Sequence, residues 1–173
     1  MNPVIKIALV GQPNVGKSAL TNSIGNTKLK VGNFSGVTVS KKTVRFSRNG
    51  YDFEITDLPG SYSLNDYTIE ERVTKEYLDD GDYDLILNVV DSSNIERNLY
   101  LTMELLALNK KIVIALNMTD EAEKFGVNID ENQISKLLGS PAVKTSAVNG
   151  DGIDELLESI IAKHTCSTPQ VHL

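Results

Sequence analysis

Gly11-Gln12-Pro13-Asn14-Val15-Gly16-Lys17-Ser18 is a G-x-x-x-x-G-K-S loop that follows the apolar run Val4-Ile5-Lys6-Ile7-Ala8-Leu9-Val10. The context carries more weight than the letters. A buried strand that ends in glycines and feeds a helix aims consecutive backbone N–H groups at one point. That point also lies at the positive end of the helix dipole, so it suits a chain of phosphates. The helix begins near Ser18, and Leu20 and Ile24 mark its apolar side. In this arrangement Lys17 reaches the β- and γ-phosphates and the Ser18 hydroxyl ligates Mg²⁺. The whole loop, Gly11 to Ser18 with Ala19 after it, is therefore expected to hold a nucleoside triphosphate.

Strand and helix signals alternate along the rest of the chain. Val37 to Phe46 and Tyr51 to Asp57 read as strands, joined through Arg48-Asn49-Gly50, whose Asn-Gly is a favoured tight hairpin turn. Leu85 to Val90 and Ile112 to Leu116 are largely apolar runs of the kind that doubly covered parallel sheets use. Thr68 to Leu78, the leucine-rich stretch Leu99 to Leu108, Asn132 to Leu138 and Ile153 to Ile161 read as helices, with a short strand at Ala142-Val143. Gly25 to Gly36 has no periodicity and reads as a long loop. The expectation is an α/β fold: a six-stranded, mostly parallel sheet with one antiparallel hairpin pairing and helices on both faces.

Size and composition set the class. With 173 residues, 40% hydrophobic and 23% charged, the chain has the makings of one globular core and not of two full domains. No apolar run approaches the ~20 residues needed to cross a bilayer, and the start lacks the features of a signal peptide. The one cysteine, Cys166, leaves no internal disulfide to form. A net charge of −6 argues against nucleic-acid binding by the surface as a whole. The local exception, Lys41-Lys42-Thr43-Val44-Arg45-Phe46-Ser47-Arg48, divides its cations between the two faces of a strand. Residues 1–163 are expected to form the domain and 164–173 a tail or linker stub. His164 and His172 lie in that tail and are not expected to bind metal.

Open sheets of this type bind ligands at the carboxyl ends of their strands, where the remaining polar landmarks fall. Asp57-Leu58-Pro59-Gly60 ends one strand; its acid can hold Mg²⁺ through water and the Gly60 N–H can touch the γ-phosphate. Asn117-Met118-Thr119-Asp120 ends another. Asp120 can accept two hydrogen bonds from the N1–H and N2–H₂ edge of guanine, a donor pair that adenine does not present. Asn117 either donates toward guanine or braces the phosphate loop. Ser146-Ala147-Val148 follows the short last strand and is placed to offer backbone N–H groups to guanine O6.

Together these residues resemble the TRAFAC-class GTPases with the Ras-like fold. The resemblance narrows with Val31 to Val39, Asp57 to Leu64, Asn88-Val89-Val90-Asp91, Asn94-Ile95-Glu96-Arg97-Asn98-Leu99-Tyr100-Leu101-Thr102 and Ala115 to Asp120. From about Ile5 to Ala162 the chain is similar to the amino-terminal G domain of the FeoB family of bacterial ferrous-iron transporters. Phe34 and Ser35 depart from that family's usual residues. The resemblance implies GTP and GDP as ligands, with Gly36, Val37, Thr38, Val39 and Ser40 joining the nucleotide site. Thr38 is the candidate switch threonine and shares Mg²⁺ with Ser18 and, through water, Asp57. It also implies that Asn14 coordinates K⁺ together with backbone carbonyls of Gly32 and Phe34. Helical regulatory and membrane domains of a parent protein are implied as partners, which puts the domain at the cytoplasmic face of the bacterial inner membrane. Oligomers are compatible with this reading.

Lys17, Thr38, Gly60 and Asn14 form the expected catalytic set. Ras orients its attacking water with a Gln after Asp-x-x-Gly; this chain has Ser61 there, then Tyr62. Arg45 and Arg48 lie away from the phosphates on the hairpin reading, so intrinsic hydrolysis is expected to be slow. Glu70 and Glu71 read as solvated acids at a helix start. Two other readings remain at this point: a free-standing GTPase acting in ribosome or tRNA maturation, and a nucleotide-dependent interaction module without useful hydrolysis.

Overall fold

The computed structural model describes residues 2–24, 27–65 and 67–166. Strands β1 (Val4–Gly11), β2 (Lys28–Asn33), β3 (Ser40–Arg48), β4 (Tyr51–Asp57), β5 (Leu85–Asp91), β6 (Ile112–Asn117) and β7 (Ala142–Lys144) form one sheet in the order β2-β3-β4-β1-β5-β6-β7. The pairs β1·β4, β1·β5, β5·β6 and β6·β7 are parallel; β2·β3 and β3·β4 are antiparallel. The six-stranded expectation is thus corrected to seven.

The additional strand is β2, in the stretch read as loop. All six of its residues are exposed, and it pairs with β3 from Lys28↔Arg45 to Asn33↔Ser40. It is held by backbone ladder bonds and not by a buried face, so hydrophobic alternation could not announce it. β3 correspondingly starts at Ser40 and not Val37. Residues 34–39 form a tight turn closed by Phe34 N–H to Val39 O (3.0 Å) and Val37 N–H to Phe34 O (3.3 Å). The expected hairpin joins β3 to β4, with Asn49 and Gly50 both left-handed (φ 55° and 81°), as a tight Asn-Gly turn requires.

Helices α1 (Lys17–Ile24), α2 (Ile69–Asp80), α3 (Ile95–Leu106), α4 (Thr119–Lys124), α5 (Glu131–Leu138) and α6 (Ile153–Thr165) cover both faces. Strand parity divides the core. Ile5, Ile7, Leu9, Leu87 and Val89 meet Leu20 of α1 and Leu156, Leu157 and Ile160 of α6. Ala8, Val10, Ile86, Val90, Ile114 and Leu116 meet Val73 and Leu78 of α2 and Leu101 and Leu105 of α3. With both faces covered, the central strands read as continuous apolar runs. α6 continues through His164 and Thr165, where the sequence reading placed the start of a tail. His172 and the rest of 167–173 lie outside the described residues. No described helix is long and apolar enough to cross a membrane.

Candidate nucleotide-binding site

At the carboxyl edge of β1, the loop turns back over the first turn of α1 and opens a cleft of about 590 Å³. Gln12, Pro13, Asn14, Val15, Gly16, Lys17, Ser18 and Ala19 line one wall, Asp57, Leu58, Pro59 and Gly60 another, and Val39, Ser40 and Lys42 the rim. Gly16 takes φ +88°, and a Cβ there would meet Asn117 Nδ2 at 2.5 Å. Only glycine suits both demands.

Lys17 donates to Leu58 O at 2.7 Å and stands 3.5 Å from Asp57 Oδ1, an ion-pair separation longer than a good hydrogen bond. Burial lowers the Lys17 pKa against the opposing pull of Asp57, and burial raises that of Asp57 against the pull of Lys17. Each charge has therefore lost more hydration than its partner returns. Asp57 Oδ1 is buried without a hydrogen-bond partner. An orphaned carboxylate oxygen in the cleft that Ser18 also lines fits a Mg²⁺ held by Ser18 and, through water, by Asp57.

The structure does not place every expected residue on this lining. Gly36, Val37 and Thr38 lie in the turn 35–38, Thr38 is exposed, and none of the three lines the cleft. Gly32 is paired in β2 with Lys41. Phe34 is buried against α2, edge-on to Tyr77 with centroids 5.9 Å apart, and Lys41 sits over both rings.

Beyond the loop, Asn117 decides between its two readings in favour of bracing. It is 1% exposed, and its Nδ2 donates to Val15 O at 2.9 Å. Its Oδ1 accepts from Thr145 Oγ1 (3.0 Å) and Ala147 N–H (3.3 Å). Asp120 accepts from Ser146 Oγ at 3.0 Å, which orients the carboxylate beside Ala147 and Val148. Met118 takes a left-handed φ of 62° between β6 and α4. Sequence reasoning missed Thr145, whose hydroxyl joins the two motifs; its position directly before Ser146 was the available signal.

Other expectations are corrected. Glu71 is buried, not solvated: it forms a reciprocal capping box with Thr68 and accepts from Ser63 Oγ at 2.8 Å. Arg45 pairs with Glu54 and Arg48 with Asp154, away from the cleft as expected. Among the described residues no group of three or more His, Cys, Asp or Glu side chains could hold a metal ion.

The family model described as Ferrous iron transport protein B matches residues 5–160. The chain belongs to the FeoB family. The Fe(2+) transporter FeoB of Helicobacter pylori is 53% identical over 167 residues, a match covering 95% of this chain and 26% of the relative. The chain thus spans about a quarter of that FeoB protein's length. A crystal structure of the cytosolic domain of the T. maritima FeoB iron transporter in a GDP form superposes with a TM-score of 0.93. It is 44% identical, and the match covers 98% of this chain and 67% of that one. A GMPPNP form of the same FeoB domain superposes at 0.92, with 44% identity over 98% of this chain and 67% of that one. The Ras-like expectation stands, with seven strands in place of six.

Proposed function

We propose that this chain is the GTP-binding and slowly GTP-hydrolysing switch domain of a bacterial Fe(II) transport protein. One observation carries the reading. The phosphate loop and the end of β4 line one cleft, the end of β6 is tied to that loop by the Asn117–Val15 bond, and Asp57 Oδ1 stands in the cleft wall without a hydrogen bond. The FeoB domain of T. maritima, so similar in fold, takes GDP and GMPPNP forms.

Lys17 exchanges Leu58 O and Asp57 for the β- and γ-phosphates, and the loop N–H groups point at the same chain of oxygens. Ser18, Thr38 and, through water, Asp57 would hold a Mg²⁺, which would supply electrostatic stabilisation to the phosphates. The segment 32–39 leaves its place on β3 and α2 to bring Thr38 to the γ-phosphate, an order of events that makes it the switch. Asp120, oriented by Ser146, selects guanine.

Slow hydrolysis follows from Ser61. It is 1% exposed, and its hydroxyl is engaged with Pro59 O (3.1 Å) and Thr74 Oγ1 (3.2 Å), so it is not free to orient a water. Asn14, left-handed (φ 68°) and exposed on the cleft, is the proposed K⁺ ligand, completed by carbonyls of Gly32 and Phe34 once the segment moves. We take the G domain to end with α6, at Thr165, two residues beyond the boundary expected from the sequence. Helical regulatory and membrane domains of the parent protein complete the transporter, which places this domain at the cytoplasmic face of the inner membrane.

Calorimetry with GTP, GDP and ATP tests the reading, together with phosphate release from GTP. The expected outcome is tight binding of both guanine nucleotides, no measurable binding of ATP, and turnover on the order of 10⁻⁴ to 10⁻² s⁻¹. Equal affinity for ATP and GTP would overturn it.

A further inference from the structure

The segments Asn88–Asp91 and Asn94–Thr102 have no part in reading the nucleotide, yet the structure joins them to the phosphate loop. Asn88, 1% exposed, donates through Nδ2 to Val10 O at 3.2 Å, one residue before Gly11. Thr102, fully buried, donates to Asn88 Oδ1 at 2.6 Å. Asn98 donates to Asn94 O at 2.8 Å and accepts from Asp91 N–H at 3.4 Å. Gln12, 5% exposed, donates to Arg97 O at 2.6 Å. α3 is thus fastened at Thr102, through Asn88, to the root of the loop, and at Arg97 to the loop's second residue. Buried polar chains with every member satisfied hold their elements in one arrangement.

That arrangement fixes where the Arg97 side chain begins. Its guanidinium lies over the ring of Tyr62, 5.4 Å from the centroid, and it makes no ion pair among the described residues. Tyr62 stands two residues after Gly60, and Gly60 itself rests on the loop: a Cβ there would lie 3.0 Å from Pro13 Cα. A polar cavity of about 150 Å³ separates the two segments, lined among others by Pro13, Asn14, Tyr62, Asp91 and Arg97. An arginine held from below and free of a carboxylate suits stacking on an aromatic face.

We propose that Arg97 is a positioning residue for GTP hydrolysis. By stacking on Tyr62 it holds the segment after Gly60 against the phosphate loop. This rests on the nucleotide reading of the cleft. Arg97 acts through Tyr62 and touches no reacting atom. With Ser61 tied down, the backbone of this segment, Gly60 N–H included, is what remains on this side to orient the γ-phosphate and the attacking water.

Two readouts test it. The first is hydrogen exchange of residues 61–65 in nucleotide-free protein; the second is single-turnover GTP hydrolysis alongside GDP affinity. For Arg97→Ala and Tyr62→Leu, exchange should rise and kcat fall by ~3-fold or more, with KM and GDP affinity within about twofold of native. Tyr62→Phe keeps the ring and should behave as native, and Arg97→Lys should recover part of the loss. The double variant Arg97→Ala/Tyr62→Leu should be no slower than either single one, because both remove one contact. Independent, multiplying losses would overturn the proposal. So would unchanged exchange in Arg97→Ala with a fall in kcat, or faster exchange without one. A native chain that binds no GTP would refute the reading of the cleft. Faster exchange in Arg97→Ala would in that case still support the stack as the holder of this segment.

Discussion

Asn117 shows how one side chain spends three of its four possible hydrogen bonds on structure. Replacing it with alanine leaves Val15 O and the Thr145 hydroxyl without their partner in a buried place. A loss of about 1–3 kcal/mol of stability follows, read by thermal or urea melting, with nucleotide affinity falling as the loop loosens. Asp120, by contrast, is the residue proposed to read the base. Asp120→Asn should shift preference from guanine to xanthine nucleotides, because the amide N–H₂ opposes the guanine N2–H₂ donor but matches the acceptor oxygen that xanthine carries there. Competition binding with GDP and xanthosine diphosphate measures this, and unchanged GDP preference would remove Asp120 from the base site. Tyr83 gives a pH-dependent test. Its hydroxyl donates to Leu78 O, and burial raises its pKa from 10 to about 12. A raised folded-state pKa stabilises below the unfolded value and is lost as pH climbs through the folded one. Native protein should therefore lose stability between pH 10 and 12 more steeply than Tyr83→Phe, and parallel limbs would contradict this. At this scale the sequence was legible where a motif is local. The loop, Asp57, Asn117 and Asp120 could all be read directly. The Asn88–Thr102 and Thr145–Asn117 bonds could not, since side chains 14 and 28 residues apart leave no local spacing.

At the scale of elements, burial decided what could be read. β1, β5 and β6 are buried along nearly their whole length and declare themselves as apolar runs. β2 is exposed throughout, and α4 is a six-residue, mostly charged helix without an apolar stripe, so neither leaves a pattern. The segment between β2 and β3 has a conspicuous fastening. Phe34, 7% exposed, packs on Tyr77 of α2 with Lys41 over both rings. Phe34→Ala should cost about 3 kcal/mol of whatever stability that docked arrangement has. It should release 32–39, raising hydrogen exchange there while leaving α6 and β6 protected. If Thr38 is the switch residue as proposed, the segment leaves this place to reach the nucleotide, and the same change should favour the triphosphate over GDP. Exchange confined to its native pattern would show that the aromatic contact is not the fastening. α2 carries a second, independent one: Thr68→Ala removes half the capping box and should cost ~1 kcal/mol in a melt.

For the molecule as a whole, the question is what offsets charge at the β–γ bridge during hydrolysis. An arginine is the usual answer, but Arg45 and Arg48 are paired with Glu54 and Asp154, Arg97 lies over Tyr62, and Arg72 is exposed on α2 outside the cleft lining. Nor is there a glutamine after Gly60. Of the polar loop side chains that line the cleft, Gln12 is tied to Arg97 O and Lys17 and Ser18 are assigned to the phosphates and Mg²⁺, which leaves Asn14, exposed with a left-handed φ of 68°. A monovalent cation on its amide oxygen would sit beside the bridge and do the work of an arginine finger. Its other expected ligands are carbonyls of Gly32, now paired with Lys41 in β2, and of Phe34, now seated on α2. On the proposed ligand set the cation site would be complete only after the segment 32–39 moves, which would couple cation binding to the switch. Turnover in matched KCl and NaCl measures this directly. K⁺ should accelerate hydrolysis ~10-fold or more over Na⁺, and Asn14→Ala should abolish the difference while leaving GDP affinity within a few-fold. Equal rates in the two salts would refute the cation. A potassium effect that survives in Asn14→Ala would keep the ion and move its ligand elsewhere. Because Phe34 must come off α2 first, Phe34→Ala should also lower the K⁺ concentration that gives half-maximal acceleration.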